Sequence, residues 1–237
     1  MIKNKKLLAI IPARKNSKRI LGKNLASLNG KPLVCHTIEE ALKNKYIDKL
    51  IVTTDDPKIS KVSKNYGIHV DKLRPSYLSK DNSKTIDIIS YEIIKLQKKK
   101  EFYDYIMLLQ PTSPFRTNKN IDSAISLLIK KKAECITSVC ETEHPIEWCG
   151  KLSKENSMEN FLSKKVNGKR SQDFKKSYRI NGAIYIAKID DVLKKNTLLL
   201  NNKKSYAYIM DRYESIDIDN EIDLEFANFI SRKKYAR

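Results

Sequence analysis

No Walker A loop is present: the pattern GxxxxGK[ST] does not occur anywhere in the 237 residues. That excludes the commonest phosphate-binding strand–loop–helix, but not phosphate binding as such. No two of the four cysteines, Cys35, Cys135, Cys140 and Cys149, form a CxxC pair, and no histidine stands at ligand spacing to them. Structural zinc is thereby excluded, and free thiols are expected, buried at Cys35, Cys135 and Cys140. The three histidines, His36, His69 and His144, form no nucleophile constellation, and no serine has a nucleophile-elbow context. Covalent hydrolase chemistry is therefore disfavoured. No apolar run approaches ~20 residues, the length that crosses a bilayer. The run at 7–12 is too short for a secretory signal and lacks a cleavage site. These absences predict a cytoplasmic protein. Internal repeats and low-complexity linkers are missing too, which favours one α/β domain over 1–237.

Arginine is also scarce. Lysine supplies 38 of the 47 basic residues and arginine 9. The net charge of +19 raises the question of nucleic acid. Many lysines, however, fall in runs such as 98–100 and 130–132 at expected helix ends, where they complement the helix dipole and stay solvated. The tyrosines lie mostly in strand patterns instead of interleaving with the basic residues. A lysine-rich surface that favours anionic substrates is the better reading, and neither nucleic acid nor a membrane is expected as partner.

What is there begins at Leu7-Leu8-Ala9-Ile10-Ile11-Pro12, a buried-strand pattern that stops at proline. It opens into a loop carrying Arg14, Lys15, Lys18, Arg19 and Lys23 among Asn16, Ser17, Gly22 and Asn24. A buried strand that runs into a basic loop of small residues is a place to hold phosphates. Arg14 and Lys23 can neutralise β- and γ-phosphates as charged donors, while Ser17 and loop amides cradle them.

The order that follows is βα repeated. Helix is expected from Lys31 to Tyr46, from Pro57 to Tyr66 with Gly67 closing it, from Asp81–Thr85 as capping residues to Lys99, and from Asn120 to Lys132. Strands are expected at 49–54, 68–70, 105–109 and 135–140. This predicts a doubly wound, mostly parallel sheet flanked by helices, with its ligand site at the carboxyl ends of the strands. Loops 12–24, 53–57 and 110–117 should converge there. Segment 142–178 is polar, holds the only tryptophan, Trp148, and carries Lys164, Lys165, Lys169 and Arg170. It reads as an excursion from the sheet, a small β lobe or a dimer arm. Strands return at 178–186 and 206–210, ahead of a terminal helix.

Two further motifs carry chemistry. In an extended segment Asp217 and Asp219 point the same way, about 6–7 Å apart. Such a pair can share a hard cation such as Mg²⁺ that also holds phosphate oxygens. Asp219 could instead simply cap the last helix. Gln110-Pro111-Thr112-Ser113-Pro114-Phe115-Arg116 is a rigid polar loop that either hydrogen-bonds a polyhydroxylated ligand or is a plain proline turn.

Taken together, Ile11-Pro12-Ala13-Arg14-x-x-Ser17-Lys18, Lys23-Asn24, the stretch from Leu108 to Arg116, Asn181-Gly182-Ala183-Ile184-Tyr185 and Ser215-Ile216-Asp217-Ile218-Asp219 resemble the CMP-sialic acid synthetases, the acylneuraminate cytidylyltransferases. The resemblance covers nearly the whole chain. It implies a nucleotide-diphospho-sugar transferase fold, a homodimer with its dimerisation lobe at 142–178, and Mg²⁺. It also implies the reaction of CTP with a nonulosonic acid to give CMP-sugar and pyrophosphate. By position, Arg14, Ser17, Lys18, Lys23 and Asn24 would contact CTP, Asp217 and Asp219 would place the metal, and Arg74, Gln110 and Arg179 would face the sugar acid. Arg14, Lys23 and Asp219 would be catalytic, with Asp219 or a metal-bound water as the base. Two departures bear on the sugar. Arg19 resembles the variant in synthetases for pseudaminic acid, and Glu147-Trp148 stands where some sialic acid enzymes carry a lysine. Pseudaminic, legionaminic and 3-deoxy-manno-octulosonic acids are the alternatives, and the Ser-Ile-Asp-Ile-Asp segment argues against the last.

Overall fold

The computed structural model of the chain describes residues 2, 4–162, 166 and 168–235. The first strand is β1 (Leu7–Pro12), whose first five residues are buried. Alternation of side chains along this strand divides the interior. Leu7, Ala9 and Ile11 enter one apolar cluster, and Leu8 and Ile10 enter another on the opposite face. A strand covered on both faces reads as a continuous apolar run, as this one does.

Parallel neighbours flank β1 on both sides: β4 (Lys49–Thr53) and β5 (Tyr105–Leu108). Two short strands, β2 (Ser27–Leu28) and β3 (Lys31–Pro32), precede β4 and form a separate ribbon. Their turn is Asn29-Gly30, both with positive φ, the pairing such a tight turn requires. The large sheet is completed by β6 (Cys135–Glu141), β7 (Tyr178–Lys188) and β8 (Ser205–Ile209), in the order β4-β1-β5-β7-β6-β8. Strand β7 runs antiparallel to β5 and β6, while β6 and β8 are parallel. The sheet is therefore mostly parallel, as expected, with one reversed strand wedged into its middle.

Helices cover both faces. From α1 (Leu33–Leu42) and α4 (Asn118–Lys131), residues Val34, Ile38, Ile121 and Ile125 pack on the Leu7 side, joined by Ile59 of α2 (Pro57–Lys64). From α3 (Thr85–Lys98) and α5 (Ile189–Lys195), residues Ile89, Ile93 and Val192 pack on the Leu8 side. Each fully buried leucine or isoleucine here contributes roughly 1.5–3 kcal/mol. The C-terminal helix is α6 (Glu221–Tyr235).

Several expectations need correction. Residues 68–70 form no strand. Ile68 joins the apolar cluster through its side chain, and the edge of the sheet is instead met by Arg74, whose amide donates to the Thr54 carbonyl. Helix α1 stops at Leu42, not Tyr46, because the Asn44 side chain turns the chain: it donates to Asn118 and Asp122 and accepts from the Tyr46 amide. Among the described residues of 142–177 there is no strand, only 3-10 turns that include Ile146–Trp148 and Ser171–Asp173. Trp148 is sandwiched between His144, stacked at 6.5 Å, and Phe174, edge-on at 6.1 Å. The excursion is thus an irregular loop around one aromatic anchor, not a β lobe. Lys164 and Lys165 lie outside the described residues. All four cysteines are free; Cys35, Cys135 and Cys140 are buried and Cys149 is exposed. No described helix is long and apolar enough to cross a membrane.

Candidate active site

Beyond β1 the chain continues past the end of β4, with the Ala13 amide donating to the Thr53 carbonyl. The basic loop then folds back on itself. Asn24, buried, donates to the Arg14 carbonyl at 2.8 Å, and Gly22 takes a φ of 64° that lets a 3-10 turn start at Lys23. These pins turn four of the loop's five basic side chains, Arg14, Lys18, Arg19 and Lys23, into a shaped wall. That wall lines a cavity of about 700 Å³, together with residues 74–88 and the loop after β5.

Of the residues singled out from sequence, Arg14, Ser17, Lys18, Lys23, Asn24, Arg74 and Gln110 all line this one cavity, as does Arg19. The loop 53–57 does not line it but supports it from behind. The Asp55 carboxylate accepts from the Lys15 amide at 2.9 Å and from Arg74 Nη2 at 3.4 Å. Arg74, 4% exposed, also donates from Nε to the Ser79 hydroxyl. Burial lowers the Arg74 pKa, and the Asp55 carboxylate opposes that shift.

The loop cations meet two carboxylates from different parts of the chain. Arg14 Nη1 and Lys18 Nζ each lie 3.0 Å from the Asp81 carboxylate. Arg19 Nη2 lies 2.9 Å, and Lys23 Nζ 3.3 Å, from Asp219 Oδ1. Asp81 went unassigned in the sequence because 81–85 looks like a run of helix caps. In the structure α3 has Lys84 at its cap position and no side-chain cap bond. The polar run serves the cavity: Asp81, Ser83 and Thr85 line it.

Asp217 and Asp219 flank Ile218, which is fully buried. The Ile218 amide donates to the Thr112 carbonyl at 2.8 Å, and its carbonyl accepts from Lys23 Nζ at the same distance. This ties the aspartate segment to both the Gln110 loop and the basic loop. Asp219 does not cap α6. That role belongs to Asn220, whose Oδ1 accepts from the Asp223 amide while Asp223 Oδ2 accepts from the Asn220 amide. Burial foremost, then the charge of Asp219, pushes the Asp217 carboxyl above the usual aspartate range, against a hydrogen bond from Thr112.

The pair fits a hard divalent cation. Asp217 Oδ1 is buried with no hydrogen-bond partner, and both residues offer only oxygen. No described group of three or more His, Cys, Asp or Glu side chains could hold a metal by itself. Two carboxylates completed by phosphate oxygens and water is the coordination Mg²⁺ favours.

Asn181 and Gly182 also support the site. Between β6 and β7 the register slips: 137 to 139 on one strand faces 185 to 180 on the other. The bulge so formed carries Asn181, 2% exposed, which accepts from Ser138 Oγ at 2.6 Å and donates to Ser215 Oγ at 2.8 Å. It thereby holds the start of the Ser215–Asp219 segment. Arg179 stands outside the cavity lining, exposed on β7, with Nη2 3.2 Å from Glu143.

A family model described as Cytidylyltransferase matches residues 8–235. The chain is 34% identical over 221 residues to the CMP-N,N'-diacetyllegionaminic acid synthase of Legionella pneumophila, covering 92% of this chain and 93% of that protein. It is 35% identical over 230 residues to the N-acylneuraminate cytidylyltransferase of Escherichia coli, covering 97% of this chain but only 53% of that longer protein. It is 31% identical over 225 residues to the pseudaminic acid cytidylyltransferase of Campylobacter jejuni, covering 95% and 96%. In fold it is similar to a CMP:2-keto-3-deoxy-manno-octonic acid synthetase solved with CTP, with a TM-score of 0.68 at 17% identity over 97% of this chain and 99% of that one. The chain belongs to the cytidylyltransferase family.

Proposed function

We propose that the protein transfers the cytidylyl group of CTP to a nonulosonic acid, releasing pyrophosphate. The observation that carries this reading is that a basic loop and the Gln110 loop line a single cavity, while the aspartate segment behind its wall is bonded to both, through Lys23 and Arg19 on one side and Thr112 on the other. The first suits a triphosphate, the second a polyhydroxylated acceptor, and the third the metal that accompanies the triphosphate.

In the reaction the anomeric hydroxyl oxygen of the sugar forms a bond to the α-phosphorus. The bond from that phosphorus to the bridging oxygen breaks in line, and the electron pair leaves with pyrophosphate. Arg14 and Lys23 neutralise the leaving group, with Lys18 and Ser17 holding the phosphates in place. Asp219, which pairs with Lys23, is the proposed base for the hydroxyl proton. Asp217 and Asp219 would hold Mg²⁺, which when bound neutralises phosphate charge. Catalysis of this kind is positional and electrostatic, with no covalent intermediate.

The acceptor is a sialic-type acid. The relatives named for legionaminic, N-acylneuraminic and pseudaminic acids match at 34%, 35% and 31% identity, too close to separate one sugar from another. Arg74, Gln110 and Arg179 are proposed for sugar contact, Arg179 from outside the main cavity. A homodimer is proposed through the excursion and the start of β7, where Ile146, Leu152, Met158, Tyr178 and Ile180 leave apolar surface for a second copy to cover. Free thiols and a CTP requirement fit the cytoplasm.

The test is pyrophosphate release from CTP with N-acetylneuraminic, legionaminic, pseudaminic and 3-deoxy-manno-octulosonic acids in turn. Release with one of the first three supports the reading. Release with none of the four overturns it, and release with the last alone moves the protein to a different sugar class.

A further inference from the structure

Arg116 is the largest fully buried side chain of the described residues, 1% exposed, and it lies on no wall of the main cavity. Its Nη1 lies 3.2 Å from each of three carbonyl oxygens: Gln110, Ser113 and Ala183. The first two belong to the loop after β5, the third to the bulge in β7. That loop contains Pro111 and Pro114, which have no amide to donate; the Gln110 and Ser113 carbonyls accept only long amide bonds from Ser113 and Arg116, at 3.3 and 3.4 Å, and the Arg116 guanidinium adds a second donor to each. Burying a guanidinium is costly unless its donors are hydrogen-bonded or paired. Here its Nε and Nη2 have no partner at all, so the one nitrogen that is bonded carries the function.

The same carbonyl-bonded bulge meets Gln110 from the other side. Gly182 has φ 75°, and a Cβ placed there would come within 2.7 Å of Gln110 Oε1. The main chain of Gln110 is thus held by Arg116 and its side-chain amide rests over the one residue without a Cβ. Thr112, two residues on, carries the carbonyl that receives the Ile218 amide.

We propose that Arg116 is a positioning residue which, with Gly182, sets the Gln110 amide at the height and angle at which it receives the acceptor sugar. Arg116 acts through the loop and touches neither substrate. This rests on the cytidylyltransferase reading, and it assigns Gln110 to the acceptor and not to the nucleotide.

The experiment compares wild type, Arg116→Lys, Arg116→Met and Gly182→Ala, each checked for native melting. The KM for the acidic sugar is expected to rise on the order of tenfold or more, since a misplacement of about 1 Å can cost that much. The KM for CTP, and its Kd by calorimetry, should stay within about twofold of wild type, a split that general loosening of the fold would not produce. Arg116→Lys should recover part of what Arg116→Met loses. In a Gln110→Ala background, Gly182→Ala should add nothing further. Should Arg116→Met fail to fold, Gly182→Ala carries the test alone. Equal rises in both KM values, or an unchanged sugar KM in folded Gly182→Ala, overturns the role while leaving wild-type turnover intact. Absence of wild-type turnover with every acid would remove the functional reading, and this role with it.

Discussion

Lys23 and Asp219, 196 positions apart in the chain, meet with Nζ 3.3 Å from Oδ1, and the same ammonium donates to the Ile218 carbonyl at 2.8 Å. Lys23 therefore joins the basic loop to the aspartate segment and faces the cavity from a nearly buried position. Replacing it by methionine keeps the stem but removes the charge. We expect turnover to fall by about 10²–10³-fold, the loss seen when one preorganised donor to developing charge is removed, with stability lowered by about 1–3 kcal/mol. Steady-state kinetics and urea unfolding measure the two effects. A Lys23→Met enzyme with wild-type kcat would remove Lys23 from the chemistry.

On the proposed reading, Asp81 would compete with the nucleotide. Its carboxylate occupies Arg14 and Lys18, the cations proposed for the triphosphate. Asp81→Asn should bind CTP about two- to fivefold more tightly, because exposed pairs of this kind are each worth about 0.2–1 kcal/mol. Calorimetry with CTP measures this directly, and weaker binding by the variant would show that Asp81 helps the nucleotide instead. Hydrogen bonding from Lys18 foremost, then the Arg14 charge, holds the Asp81 carboxyl below the ordinary aspartate range. The clamp is thus intact above that range and is lost as pH falls through the depressed value. A carboxyl carbon NMR titration reads that value.

Asp217 has the opposite sign. Its pKa is raised in the folded state, so its contribution to stability is greatest below the ordinary aspartate range and declines as pH rises through the raised value. Without divalent cation, Asp217→Asn should remove that decline and stabilise the protein at neutral pH by on the order of 1 kcal/mol. The same variant should lose most of the rise in melting temperature that Mg²⁺ with CTP gives the wild type. Melting curves at two pH values, with and without the metal and nucleotide, separate these outcomes.

Asn181 supports the aspartates at one remove. Asn181→Ala strips Ser138 and Ser215 of a buried partner and should cost about 2–3 kcal/mol, a fall in melting temperature of roughly 4–12 °C for a chain of this size. Turnover should fall further than the lost stability explains, because the segment leading to Asp217 is released. A variant that melts earlier yet keeps wild-type kcat would confine Asn181 to the core.

Much of this was legible in the sequence where the signal is local. The strand 7–12 and the basic loop after it are contiguous, and Asp217 and Asp219 stand either side of the buried Ile218. The parallel sheet follows from strands alternating with helices. Legibility ends where meaning depends on a partner far along the chain. Asp81 looks like a helix cap until Arg14 and Lys18 are seen beside it. Gly182 looks like an ordinary strand glycine until Gln110 is found against it. Arg116 belongs to a proline-rich loop, and only the fold shows its guanidinium turned inward to three carbonyls. The strand expected at 68–70 fails for the same reason, since short apolar runs do not reveal whether a neighbour exists to pair with. Asn29-Gly30 is the reverse case, a turn signal available in the sequence and overlooked.

The pairing of four loop cations with Asp81 and Asp219 has a consequence for how the nucleotide arrives. The net charge of +19 is the field felt at a distance, and it speeds encounter with any polyanion. Inside the cavity part of that charge is already answered, because the four lining loop cations share two carboxylates. On the proposed reading, nucleotide entry would be an exchange of anions, phosphate for carboxylate. Selection at that step comes from which anion fits the geometry better, so ionic strength should slow arrival far more than it weakens the bound state.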